Sequence, residues 1–170
     1  GSFYASTDGG KKWEPRKITM EDKHLNSITL LSDGKLLIAG EAGTLLLSAD
    51  GGTTWQPLAS PYKGSYFGAL EANDKSITIF GLRGRIFRST DGTATWTPIE
   101  VKLGEKPFQS SLMGGTKLSD GRLMLVGIQG AALLSKDNGA TYQVLKTDTV
   151  RPFSAVVEGT PSSAVLLGEA

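Results

Sequence analysis

The sequence predicts an all-β chain, a β-propeller of four-stranded antiparallel blades. Three observations lead there. An eight-residue stretch, Ser48-Ala49-Asp50-Gly51-Gly52-Thr53-Thr54-Trp55, recurs at Ser6 to Trp13, Ser89 to Trp96 and Ser135 to Tyr142. The leading serines stand 42, 41 and 46 residues apart, a period in the range of propeller blades. Between the copies, short apolar runs alternate with glycine-rich turns, as closely spaced strands require.

The elements follow in order. Residues 1–20 begin inside a repeat, with Phe3-Tyr4-Ala5 as a third strand (C) and Trp13-Glu14-Pro15 opening a fourth (D). The repeats then run over 24–62, 65–101 and 106–147, and 151–170 supply strands A and B alone. In the first complete repeat, Leu25 to Leu31 is strand A, Lys35 to Ala39 strand B, Thr44 to Leu47 strand C and Trp55 to Leu58 strand D. The next repeat places Tyr66 to Leu70, Ser76 to Phe80 and Arg85 to Arg88 as A, B and C. The one after it has a longer A–B region through Met113-Gly114-Gly115, then Arg122 to Val126 as strand B.

Strands B and C read apolar almost throughout (Leu36-Leu37-Ile38-Ala39, Leu45-Leu46-Leu47). Both sheet faces must then be covered, as in blades stacked around an axis. Pro15, Pro57 and Pro98 lie two residues past the repeat aromatic. Proline cannot donate to a ladder, so strand D is expected at the exposed outer edge. Gly1 falls where Gly43, Gly84 and Gly130 fall, and Ala170 where Ala42 falls. One blade is therefore expected to be split between the N- and C-termini. Two such chains would close an eight-bladed ring as a homodimer; a four-bladed monomer and a piece of a longer propeller are the alternatives.

Composition excludes several chemistries. With 18 Lys and Arg against 17 Asp and Glu, the formal net charge is +1, so nothing argues for nucleic acid. No apolar run is long enough for a membrane helix. With zero cysteines, disulfides and thiolate metal sites are impossible. The sole histidine, His24, has only Glu21 and Asp22 close by, too few ligands for zinc. No metal and no cofactor are expected, nor any catalytic residue. Gly1-Ser2 reads as a cloning scar, which leaves room for a removed signal peptide; a periplasmic or secreted location is the expectation.

The frame Ser-x-Asp-x-Gly-x-Thr-Trp resembles the Asp-box, or BNR, repeat of β-propellers. With the preceding Gly-x-x-Gly, it is most similar to the photosystem II stability and assembly factor-like branch. Lys12 in the threonine slot, Thr93 in a glycine slot and Tyr142 for tryptophan depart from the pattern. Asp8, Asp50, Asp91 and Asp137 read as structural groups that accept N–H donors of their own turn. Trp13, Trp55, Trp96 and Tyr142 read as packing between blades, each burying about 150–250 Å².

Recognition is then expected on the opposite face, at the D–A connections and B–C turns. The candidate binding residues are Glu41, Tyr66, Arg83, Arg85, Phe108, Gln129, Arg151 and Glu169, with Glu41, Arg83, Gln129 and Glu169 as turn tips. The resemblance implies a non-catalytic scaffold that binds a protein partner, such as a membrane-protein complex, and an arginine-lined surface at Arg83 and Arg85. The Asp-box also occurs in sialidases and other glycosidases, so a carbohydrate-binding or glycosidase-like propeller is the alternative. It would draw on Glu41 and Glu169 as carboxylates, with Tyr66, Arg83 and Arg151.

Overall fold

The computed structural model describes residues 2–18, 22–161 and 163–168. It contains eighteen strands in chain order: β1 (Phe3–Ala5), β2 (Glu14–Arg16), β3 (Leu25–Leu30), β4 (Leu36–Gly40), β5 (Leu45–Ser48), β6 (Gln56–Pro57), β7 (Tyr66–Glu71), β8 (Ile77–Gly81), β9 (Ile86–Ser89), β10 (Thr97–Ile99), β11 (Lys102–Leu103), β12 (Lys106–Pro107), β13 (Leu112–Lys117), β14 (Leu123–Gly127), β15 (Ala132–Ser135), β16 (Gln143–Val144), β17 (Phe153–Glu158) and β18 (Ala164–Gly168). Three complete antiparallel meanders, β3 to β6, β7 to β10 and β13 to β16, are the blades. Two-stranded hairpins stand at either end, β1–β2 and β17–β18.

The first strands of successive blades touch (β3 with β7, β7 with β13, β13 with β17), which makes them the innermost. Asn26 Nδ2 donates to the Tyr66 carbonyl (2.8 Å) and Thr29 Oγ1 to that of Ala69 (3.0 Å), tying two of them directly. The fourth strands β6, β10 and β16 carry one ladder partner each and lie at the rim. Pro57 and Pro98 are exposed there, at the one place where a missing N–H costs no ladder bond.

The core lies between sheets, in layers. Leu31, Leu37, Ala39 and Leu45 of the first blade meet Tyr66, Ala69, Ile77, Ile79 and Phe87 of the second. Phe80 and Ile86, from the other face of the second blade, meet Leu112, Leu123, Leu125 and Leu133 of the third. Met124, Val126 and Ala132 of the third meet Val156, Phe153 and Leu166 of the final hairpin. Neighbouring residues such as Ile79 and Phe80 thus serve different layers, the period-two consequence of a sheet covered on both faces. This is why β8 and β14 are buried along their whole length.

Two features depart from the sequence expectation, and a third concerns the chain ends. The additional residues of the third blade belong to its D–A connection, where β11 and β12 form a small hairpin, and not to its A–B region. Phe108 accordingly lies between β12 and β13 and outside the innermost strand. The ladder of every innermost strand also shifts register by one residue, at Asn26, Phe67, Met113 and Ser154. These are β-bulges at equivalent positions, which re-aim one side chain at the end of the strand. Within one chain the two end hairpins remain separate sheets, so no ladder among the described residues completes the split blade.

Leu125 is fully buried in the layer between the second and third blades. Leu125→Ala is expected to cost about 2–5 kcal/mol, read as a lower midpoint in urea denaturation. A loss under about 1 kcal/mol would mean that this layer is not packed as described.

Candidate functional site

Each repeated turn is organised by its serine and aspartate. At Ser48-Ala49-Asp50, the Ser48 hydroxyl donates to Asp50 Oδ1 (2.8 Å) and accepts the Gly52 N–H (2.8 Å). Asp50 Oδ1 also accepts the N–H groups of Thr53 (3.0 Å) and Thr54 (2.8 Å), while Oδ2 takes the Thr54 hydroxyl (2.6 Å). The Thr54 hydroxyl and N–H and the Ser48 hydroxyl hold the Asp50 carboxyl at about 2, below its ordinary 3.8. Thr95 and Ser89 do the same for Asp91, also at about 2. Burial pulls Asp137 upward, but the Thr141 hydroxyl and N–H and the Ser135 hydroxyl outweigh it and leave the group lowered. Asp8 is lowered mainly by the Lys12 N–H. Lys12 has no hydroxyl to offer and reaches Glu14 instead (2.9 Å).

The turns aim their aromatic residues at the preceding blade. Phe3 of β1 meets Trp55 edge-on at 5.6 Å between ring centroids. Trp96 joins the layer between the first and second blades, and the Tyr142 hydroxyl donates to Thr78 Oγ1 (3.5 Å). Burial pushes that phenol up to about 12. Tyr142 is 8 % exposed, whereas Trp13, with no preceding blade among the described residues, is 61 % exposed. Gly10 and Gly52 occupy the left-handed region (φ +86° each), and their carbonyls accept the indole N–H of Trp13 and Trp55. Thr93 holds the same backbone at φ +79°, and the Trp96 indole N–H is left without an acceptor among the described residues.

The opposite face is built from the B–C turns and the connections into the next blade. The turn glycines are pinned by that connection: Gly43 N–H donates to the Gly64 carbonyl (2.8 Å) and Gly130 N–H to that of Arg151 (3.0 Å). A Cβ at Gly130, which has φ +68°, would run into the Thr149 carbonyl. Just before Gly43, Gly84 and Gly130 sits a residue in the left-handed region: Ala42 (φ +50°), Arg83 (φ +58°) and Gln129 (φ +58°). Glu41 is therefore not a turn tip. It stands where Leu82 and Ile128 stand, its N–H donating to the His24 carbonyl (2.9 Å).

The structure brings part of the expected set together. Arg83, Arg85 and Phe108 line one groove of about 570 Å³, together with apolar Phe87, Ile99, Val101 and Pro107 and the charged Glu100 and Lys102. Both arginines are exposed. Gln129 and Arg151 belong to the next blade's turn and connection; Gln129 accepts the Ser110 hydroxyl (2.7 Å). Tyr66 is fully buried in a core layer, its hydroxyl 2.8 Å from Ser60 Oγ, and offers no surface to a ligand. It stands at the start of an innermost strand, but its ring packs into the layer between the first and second blades. Glu169 lies outside the described residues. Arg88 is a contact between blades: it donates to the Asn138 carbonyl (2.8 Å) and to Asp74 (2.7 Å). Among the described residues no cluster of three or more His, Asp or Glu side chains forms a metal site, and no helix is long and apolar enough to cross a membrane.

These repeats carry a family signature, since residues 1–102 match the model of photosynthesis system II assembly factor YCF48. The chain belongs to this family. No curated protein matches it in sequence. Among solved structures, YCF48 from Cyanidioschyzon merolae is similar at 19% identity and a TM-score of 0.64, over 88% of this chain and 51% of that one. YCF48 bound to D1 peptide is similar at 20% identity and a TM-score of 0.54, over 98% and 68%. Virginiamycin B lyase from Staphylococcus aureus, an enzyme, shares the fold at 18% identity and a TM-score of 0.80, over 98% and 56%. The present YCF48-family chain thus spans about half the length of the first of these.

Lowered aspartates set the acid response. The unfolded chain binds protons at the ordinary value and the folded chain only near 2, so the turns' contribution is complete above about pH 4 and is lost as pH falls towards 2. The melting temperature is expected to fall across that window, and the fall to be shallower in Asp50→Asn/Asp91→Asn. An unchanged slope in the double variant would remove these carboxylates from the acid transition.

Proposed function

We propose that this chain is a non-catalytic, protein-binding propeller. Its groove at Arg83, Arg85 and Phe108 holds an anionic peptide segment of a protein partner, such as a subunit of a membrane-protein complex. The observation that carries the reading is the pairing of two exposed guanidinium groups, without a carboxylate partner among the described residues, with an apolar wall. Arginine offers several donors in a planar fork that suits a carboxylate, and the apolar wall takes the side chain beside it. Family membership and a relative solved with D1 peptide support a peptide-like ligand.

Gln129 and Arg151 extend the same face over the next blade, and Glu41 lies one blade before it. The four turns keep their Ser-x-Asp geometry as the Asp-box role, bracing the blades from the other side. The glycosidase-like alternative asks for two facing carboxylates and an accessible tyrosine, and buried Tyr66 does not serve it. The ring belongs to the proposal too: three blades and two half-blades per chain suit an eight-bladed ring shared by two copies.

The test is titration with a D1 peptide by calorimetry. Arg83→Glu/Arg85→Glu is expected to weaken binding at least about tenfold, and binding by the unaltered chain to fall as salt rises. Equal affinity for both proteins would remove the arginines from the proposal.

A further inference from the structure

The groove proposed above as a peptide site carries more charge than one carboxylate balances. Three cations, Arg83, Arg85 and Lys102, and one carboxylate, Glu100, line it, a net charge of +2. All four are exposed, and none of them makes an ion pair among the described residues. Such a lining draws acidic segments towards it, and two negative charges match it.

The cations stand on two elements. Arg83 and Arg85 flank Gly84 in the B–C turn of the second blade, whereas Lys102 belongs to β11. The connection that carries the β11–β12 hairpin runs over residues 100–111, four residues longer than 58–65 or 145–152. Its register sets Lys102 beside Pro107 and Leu103 beside Lys106. Cross-strand partners share a face and successive residues alternate. Lys102 and Pro107 therefore lie together on the groove side, with Leu103 and Lys106 on the other. Both elements rest on Phe108. Its N–H donates to the Val101 carbonyl (2.9 Å) and closes the base of the hairpin, and both residues belong to the layer between the second and third blades. A Cβ on Gly84 would lie 2.7 Å from the Phe108 ring, so the arginine turn is seated against the same side chain. One buried residue thus fixes the two cationic points relative to each other before any ligand arrives.

We infer that the ligand of this groove is a peptide segment with two acidic side chains, one taken by Arg83 and Arg85 and the other by Lys102. The inference rests on the peptide-binding reading above and adds the hairpin lysine as the residue that selects the second acid. The planar forks of the arginines suit a carboxylate held in one orientation. The ammonium of Lys102 is a point charge on a flexible stem and takes a second carboxylate at a range of angles. Glu100, two residues before Lys102, repels a longer run of acids, so the groove favours a diacidic segment over a polyacidic one.

Calorimetric titration of the 170-residue chain tests this with end-capped peptides. Two aspartates stand at increasing separations in an alanine and valine background, and control peptides replace either aspartate by asparagine. The best diacidic peptide is expected to lose about fivefold in affinity with Lys102→Met, the scale of one exposed ion pair. Replacing the aspartate that Lys102 holds is expected to cost the same, and the two losses not to add. Lys106→Met, on the far face of the hairpin, is expected to leave affinity unchanged. Equal binding of diacidic and monoacidic peptides overturns the inference, as do fully additive losses or a loss in Lys106→Met as large as that in Lys102→Met. In each of those cases a loss in Arg83→Glu/Arg85→Glu keeps the peptide-binding reading. A D1 peptide that binds where no diacidic peptide does also overturns the inference alone. Indifference of every peptide to Arg83→Glu/Arg85→Glu overturns the reading and the inference together.

Discussion

A carboxylate with its acceptor sites filled by its own turn is what the rest of this structure leans on. At Asp50, Asp91 and Asp137, backbone N–H groups and serine and threonine hydroxyls converge on one side chain. That closes a loop which otherwise has no ladder to order it. The closed turn sets the direction of the aromatic that follows, and the aromatic finds the preceding blade. Sheets that share few backbone bonds are thereby joined through side chains: turn aromatics at the rim and apolar layers further in.

Once the blades are fixed, so is the opposite face. Two B–C turns are held by hydrogen bonds from Gly43 and Gly130 to the connection entering the next blade, and the third by the Arg83 N–H donating to Ser111 Oγ (3.1 Å), so the position of each loop depends on the stacking beneath it. This couples the groove at Arg83 and Arg85 to a scaffold rather than to a floppy connection. The β11–β12 hairpin walls that groove and has no counterpart in the other described blades. Recognition on this face therefore comes from loop variation over a repeated frame.

Much of the frame was legible in the residues. The repeat period, the apolar second and third strands and the rim prolines each follow from one rule of strand chemistry, and the blades appear where those rules put them. What was hidden is non-local. The bulges at Asn26, Phe67, Met113 and Ser154 carry no shared residue type, because a bulge answers to the ladder opposite and not to its own side chain. Burial of Tyr66 depends on a covering layer from the first blade. Arg88 stands in a slot held by leucine elsewhere, and only the structure shows Asn138 and Asp74 waiting for it. The turn at Glu41 resembles the others in sequence, but its left-handed position falls on Ala42.

That turn aromatics join each blade to the one before it can be measured where the contact is simplest, between Phe3 and Trp55. A double-mutant cycle with Phe3→Ala and Trp55→Ala, followed by urea denaturation, isolates the pair from the cost of each truncation. The account predicts a favourable coupling of about 0.5–1.5 kcal/mol. Strictly additive losses would contradict it, because Trp55 would then stabilise only its own blade.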